Sequence, residues 1–281
     1  MKPQYQHNVT TSFALWLDHH LLNKGEAYVN QTGTFYNYAD PRLPSTYKVF
    51  GSQYKQWVYD SSVTGATVPS GVYVNSVFVP RSNGMILDYM NGRVLTTGIA
   101  ANAIVTGSFA VKDFNIYLSN ENEDDLIIEN NLEANQKFPW TGSYIQPYDQ
   151  LVPAIYVISE SMDNKPFAFG GEDESRSSMK CVVFADNTYH LDGVLSLFSD
   201  TVRKVFKEKD FSAYPISEYG DIKAPPYSYD DYYLNPNINA ELFIDDVTVS
   251  KLKDSRSRTA NPKSYVGFMD FEITKYRYPR A

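Results

Sequence analysis

The stretch Gly71–Leu118 reads GVYVNSVFVPRSNGMILDYMNGRVLTTGIAANAIVTGSFAVKDFNIYL, and its reading decides the fold. Short runs of β-branched and aromatic residues are separated by turn residues. Val72, Val74, Val77 and Val79 make one strand-like run, ended by Pro80-Arg81-Ser82-Asn83-Gly84. Met85, Ile86, Leu87 and Tyr89 make a second, and Arg93-Val94-Leu95 returns after Asn91-Gly92. Asn-Gly between two apolar runs predicts a type I′ hairpin, because both central positions of that turn take φ > 0. Ala103–Phe109 and Asp113–Leu118 extend the sheet. The expected fold is mainly β: antiparallel sheets in a sandwich or barrel-like arrangement, with two α-helices and long loops or arms.

Upstream, Lys48–Phe50 and Gln56–Tyr59 are short strand candidates, so a β domain is expected over residues 47–131. From Ala27 to Tyr47 the chain is turn-rich and aromatic without a helical period, and reads as loops and extended segments. Ser12 precedes FALWLDHHLL (13–22), and Lys24-Gly25 closes the run. Phe13, Trp16, Leu17 and His20 or Leu21 share one helical face, which predicts an amphipathic helix over about 12–24, capped by Ser12 and ended by Gly25. Residues 1–10 are polar and expected to be extended, or disordered on their own, so 1–46 reads as a helix with an extended arm.

Downstream, Ser119–Asp125 is an acidic turn. Tested as a calcium loop, it places Asn120, Asn122 and Asp124 at the first three ligand positions. Asp125 then stands where glycine is needed and Asn131 where the bidentate glutamate is needed. A solvated loop is the preferred reading, with an irregular calcium site near 120–125 as the alternative. Residues 132–281 read as a second β-rich lobe. It opens with a Pro/aromatic segment around FPWTG (138–142). Val152–Ile158 and Met179–Phe184 are strands, and Ser159–Lys165 is a turn. Gly170-Gly171 lacks the Lys-Ser/Thr of a phosphate cradle. Asp186-Asn187 form a turn or a cap. Leu191, Val194, Leu195, Phe198, Val202, Val205 and Phe206 keep helical spacing, which predicts a helix over 191–208. Residues 210–239, rich in Tyr and Pro, lack any period. They are long for a loop and are read as a subunit–subunit arm, against the alternative of a loop packed on its own chain. Glu241–Lys251 is a strand with a bulge or tip at Asp245-Asp246, and Tyr265–Tyr276 a final one.

The formal charge is −8 and the pI about 5.0, which argues against a general nucleic-acid binder. Lys251, Lys253, Arg256, Arg258 and Lys263 still form a basic stretch over 250–263, suited to DNA, to an acidic neighbour, or simply to solvent. The chain has 23 tyrosines, which suit half-buried sheet faces and protein interfaces alike. The single cysteine, Cys181, sits in an apolar run and reads as a buried strand thiol. The first residues carry no signal-peptide pattern, and no run approaches 18 apolar residues, so no membrane span is expected. Asn8-Val9-Thr10 and Asn30-Gln31-Thr32 match the glycosylation pattern by chance on this reading, and the chain is expected in a reducing compartment.

No nucleophile elbow, Walker loop, H-E-x-x-H or paired C-x-x-C is present. His19-His20 is not a metal pair, because adjacent residues on a helix point about 100° apart. No catalytic, cofactor-binding or metal-binding residue is assigned, no cofactor is expected, and the chain is read as a non-enzyme. A carbohydrate-binding or carbohydrate-cleaving protein is the alternative from another class; it would depend on exposed Trp57 or Trp140.

Three blocks carry a resemblance: QWVYDSSVTGA (56–66), NGMILDYMNGRV (83–94) with the strand pair through Tyr117, and FEITKYRYPR (271–280). In style they resemble virion structural proteins of tailed bacteriophages, especially head–tail connector or neck proteins. The resemblance implies a subunit that forms a ring homo-oligomer around the DNA channel and bridges portal and tail. DNA would pass through the lumen without sequence-specific binding. It also implies assembly into the virion in the bacterial host cytoplasm, with no membrane partner. Another tailed-phage part (baseplate, tail terminator, sheath or decoration protein) is the nearest alternative. Residues 1–25 and 210–239 are the expected arms.

Overall fold

Residues Tyr5–Lys24 form one helix, α1, and it is buried on nearly every side. The computed structural model describes residues 5–82, 84–128, 133–134, 151–167, 169–235, 240–252 and 265–278. Two expectations fail here. Tyr5–Thr10 are helical, not extended, and Ser12 lies inside the helix. Its hydroxyl donates to the Asn8 carbonyl (2.6 Å) and accepts from the Lys209 N–H (2.7 Å), so it ties the helix to a distant segment where a cap was expected. Far from being an arm, α1 touches both sheets of the molecule. Phe13 meets Phe271 with ring centroids 4.9 Å apart, and Asp18 pairs with Lys112.

The first sheet contains β1 (Tyr28–Tyr38), β2 (Lys48–Gly51), β3 (Gly71–Val74), β4 (Val77–Pro80), β5 (Met85–Asp88), β6 (Arg93–Thr96) and β7 (Val105–Lys112). Its order is β4-β3-β7-β1-β2-β6-β5, with every neighbour antiparallel. The run expected as one strand over 72–79 is a hairpin. Asn75 and Ser76 both take positive φ (48° and 69°), the type I′ signature. Conversely, the Asn91-Gly92 hairpin exists without that turn. Asp88 faces Arg93 across the intervening residues, and only Gly92 is left-handed (φ 62°). The Asp88 carboxylate accepts from the Asn91 N–H (3.0 Å) and the Arg93 Nε–H (2.7 Å), which stabilises the longer loop. Among the extended segments and loops expected over 27–47 is an interior strand, β1. Gln56–Tyr59 is no strand: only Trp57 bridges to Val111, and Gln56 is left-handed (φ 54°).

The second sheet contains β8 (Asn115–Ser119), then, beyond helix α2 (Glu123–Ile128) and the short parallel pair β9 (Glu133–Ala134) and β10 (Leu151–Val152), the strands β11 (Ala154–Pro166), β12 (Asp173–Ala185), β13 (Val205–Lys207), β14 (Glu241–Lys251) and β15 (Tyr265–Arg277). Its order is β13-β14-β15-β12-β11-β8, antiparallel except for β8 against β11. Only Asp113 and Phe114 separate β7 from β8, so the chain changes sheets there. A domain over 47–131 and a separate lobe over 132–281 therefore do not describe the molecule. Phe35, Trp57 and Phe109 belong to the same buried cluster as Ile155, Cys181 and Phe271, which makes one core from both sheets.

The acidic turn is the start of α2. The Asn122 side chain accepts from the Asp125 N–H (3.0 Å), and Glu123 pairs with Lys180 (3.2 Å). The expected turn over 159–165 is the second half of β11, and the reversal falls at 167–172, where the Phe167 N–H donates to the Glu172 carbonyl. The helix expected over 191–208 is shorter. Helix α3 (Thr188–Ser199) is capped by Asn187, whose side chain accepts from the His190 N–H (2.8 Å). The chain then turns at Arg203 (φ 67°), and Phe206 reaches the core from β13. The bulge expected at Asp245 is present, as a register shift between Ile244 and Asp246. Residues 253–264, with most of the basic stretch, and the 135–150 segment with Trp140 lie outside the described residues.

Residues 208–235 are not an arm either. They cross the molecule as a strap containing a 3-10 turn (Phe211–Ala213) and helix α4 (Tyr229–Leu234). Ile216, Ile222, Tyr227 and Tyr229 are buried in their own chain. The Tyr227 carbonyl accepts from the Ser61 N–H (2.8 Å), and the Gly220 carbonyl from the Tyr89 N–H (2.9 Å). Among the described residues no helix is long and apolar enough to cross a membrane.

Candidate functional site

Two buried polar contacts join α1 to the first sheet. Lys112 Nζ donates to both oxygens of Asp18 (2.8 Å each) and lies 4.5 Å from the centroid of the Tyr59 ring. At the next residue, His19 Nδ1 lies 2.7 Å from Asp60 Oδ2, its Nε2 lies 3.4 Å from Asp230, and its ring stacks on Tyr229 (4.4 Å). Asp60 is buried, which alone would raise its pKa. Hydrogen bonds from His19, from Ser62 and from the Tyr229 N–H outweigh burial and hold the carboxyl below the usual range. These contacts fasten the strap to α1. Asp18, Lys112 and Asp60 are buried, His19 is nearly so, and Asp230 is half exposed at the edge of the cluster.

That arrangement carries a pH consequence. A carboxyl depressed in the folded state contributes stability above its unfolded pKa, and the contribution is lost as pH falls through the folded value. The advantage of wild-type protein over Asp60→Asn should be full at neutral pH and shrink below about pH 4. Urea titrations of both proteins at pH 7 and pH 3.5 measure it; an advantage that grows in acid contradicts the assignment.

The other residues singled out in the sequence do not converge. His20 turns away from His19 and stacks on Trp16 (5.3 Å); burial, with help from Lys204, lowers its pKa to about 4. Among the described residues no group of three or more His, Cys, Asp or Glu side chains is placed to hold a metal ion. Cys181 is buried in β12, and burial pushes its thiol pKa well up. Trp57 is 1% exposed and stacks on Phe109 (4.6 Å), so it offers no ring face to a sugar. A cleft of about 810 Å³ opens between the strap and the first sheet, lined in part by Tyr47, Pro69, Met85, Pro226 and Tyr227. Its charges cancel: Arg81 Nη2 donates to Asp221 (2.6 Å) and to the Ile222 carbonyl (2.7 Å).

Among the described residues, exposed apolar side chains gather in at least two places. The first is the far end of the second sheet. There β11 and β12 run past the core and turn through 167–172, beside the end of β15. Phe167, Phe169, Tyr276 and Tyr278 are all exposed, and the Phe167 and Tyr276 rings lie 4.5 Å apart. Residues 163–174 carry four carboxylates against one lysine, a net −3. Asp163 and Glu174 have cation partners in Lys165 and Arg176, whereas Glu172 and Asp173 pair with no cation among the described residues. The second place is the β3–β4 hairpin at the edge of the first sheet. Tyr73 and Phe78 sit opposite each other (ring centroids 5.3 Å apart), with Val77 67% and Ile104 64% exposed around the Asn75-Ser76 turn. Phe78 and Val77 point to opposite faces of the strand, so the hairpin is bare on both sides. Exposed aliphatic and aromatic clusters of this kind mark interaction surfaces.

Sequence reasoning overlooked both surfaces. The signal for the first was Phe167-Ala-Phe-Gly-Gly171, bulky aromatics placed at a glycine turn. For the second it was the absence of charge: residues 61–87 and 94–111 contain one charged side chain, Arg81. The sequence matches no protein-family model and no curated protein.

Proposed function

We propose that this protein is a non-enzymatic virion structural subunit of a tailed bacteriophage, a neck or head-to-tail connector component. It forms a ring around the DNA channel and bridges portal and tail. The observation that carries the reading is the aromatic end of the second sheet, where four large side chains are exposed to solvent. Exposed clusters of this kind mark interaction surfaces, and a subunit held by neighbours would bury one. The resemblance in blocks 56–66, 83–94 and 271–280 supplies the setting. The strap and α1, once read as arms, serve the subunit's own stability, so the contacts to neighbours are assigned to strand ends and hairpins.

Quantitative mass spectrometry of purified particles tests the reading. A ring component is expected at about 6–12 copies per particle, as closed cyclic symmetry requires. Hundreds of copies would move the protein to a tube, sheath or decoration role, and absence from particles would end the structural reading.

A further inference from the structure

We infer that His19 is a pH-dependent clasp for the strap: protonation of its ring moves the Nε2 hydrogen bond from Asn23 of α1 to Asp230 of α4. The clasp acts within one subunit and does not depend on the function proposed above.

Stacking on Tyr229 sets the plane of the ring, and the side chain is only 12% exposed. Nδ1 faces Asp60, a carboxylate that accepts and cannot donate, so Nδ1 keeps its proton in both charge states of the ring. Nε2 has two neighbours of opposite character. The Asn23 amide nitrogen, a donor, lies at 3.3 Å, and the Asp230 carboxylate, an acceptor, at 3.4 Å. A bare Nε2 accepts from Asn23 and meets Asp230 lone pair to lone pair. A protonated Nε2 donates to Asp230 and has no lone pair left for the Asn23 amide. Asn23 lies one turn further along α1 itself, whereas Asp230 stands in the first turn of α4. The charge on one ring thus decides whether the bond stays inside the helix or reaches the strap.

The other ionisable groups around the ring keep their charge between about pH 5 and 8, the interval in which an imidazole ordinarily titrates. Despite its burial, Asp60 is held below the usual carboxylate range by its hydrogen bonds. Burial, and then Lys204, lower His20, the neighbour on α1, to about 4, and burial raises the Tyr229 hydroxyl above its ordinary value. Asp18, on the other side in α1, is committed to Lys112. The Asp230 bond therefore stabilises the docked strap on the acid side of the imidazole titration and is lost as pH rises. The Tyr229 N–H donates to Asp60 in either state, so the clasp tightens a strap that is already seated. Asp230 is 51% exposed, and solvent screens the pair. The expected effect on local opening is accordingly about two- to fivefold.

Nitrogen-15 NMR of the His19 ring at about pH 6.5 tests the exchange of partners. Asp230→Asn should lower the ratio of protonated to neutral ring about two- to fivefold, and Asn23→Ala should raise it by a similar factor. A purely structural role for the two residues would not move the ratio in opposite directions. Hydrogen exchange of the α4 amides, corrected for the intrinsic rate at each pH, tests the clasp in the wild-type protein, so the idea is exposed even if a variant fails to fold. Protection should be about two- to fivefold greater at about pH 5.5 than at about pH 8, and the difference should vanish in Asp230→Asn. A ratio unchanged in both variants, or moved the same way in both, would overturn the exchange of partners. Equal protection of α4 at the two pH values would overturn the clasp.

Discussion

Asp18→Ala should cost about 3–5 kcal/mol of stability, because it leaves the Lys112 ammonium buried without its counter-charge. Both side chains are nearly inaccessible (3% and 6% exposed), so water cannot take over the lost contact. Lys112→Met alone should cost a similar amount through the stranded carboxylate. Asp18→Leu combined with Lys112→Met should recover most of the loss, since a well-packed apolar pair often matches a buried ion pair. Urea unfolding midpoints of the four proteins decide it. Single variants within about 1 kcal/mol of wild type would mean that the pair is hydrated and that α1 is less firmly held between the sheets than the geometry requires.

Replacing residues 214–229 by a short glycine–serine linker should abolish cooperative unfolding altogether. Four buried side chains leave with the segment: Ile216, Ile222, Tyr227 and Tyr229. Each contributes about 1.5–3 kcal/mol of burial, and together they rival the about 5–15 kcal/mol that a domain has in total. Asp60 would also lose the Tyr229 N–H, and Arg81 its partner Asp221. Near-ultraviolet circular dichroism with thermal melting measures the outcome. A truncated chain that melts sharply and merely fails to oligomerise would restore the arm reading of 210–239.

The contrast between what the sequence revealed and what it hid has physical causes. β5 and β6 were legible as short apolar runs bounded by turn residues, and β14 by its alternation of apolar and polar residues. β1 was hidden because Phe35 is its one fully buried residue; the strand is interior by hydrogen bonding and polar on its faces. The run Val202–Phe206 continued a helical spacing, but the helix ends at Ser199 and the chain turns at a left-handed Arg203 inside the run. Spacing alone cannot register a backbone reversal. The burial of 210–235 was illegible because irregular segments have no period at all, and their partners, such as Ser61 and Tyr89, are more than a hundred residues away. The candidate surfaces were hidden for a related reason: an exposed phenylalanine looks in sequence like a buried one until the strands are placed.

The β15 strand has a consequence for how the subunit is made. It lies between β14 and β12, pairs with β12 along thirteen residues from Asp173–Arg277 to Ala185–Tyr265, and carries the Phe271 ring that α1 rests on. During synthesis α1 emerges long before its partner β15. Until the ribosome has passed residue 277, the second sheet lacks an interior strand and the first helix has nothing to close upon. A nascent or shortened chain therefore holds an open core and an unformed tip. The second sheet and the exposed aromatic side chains at its end thus form only once β15 is available.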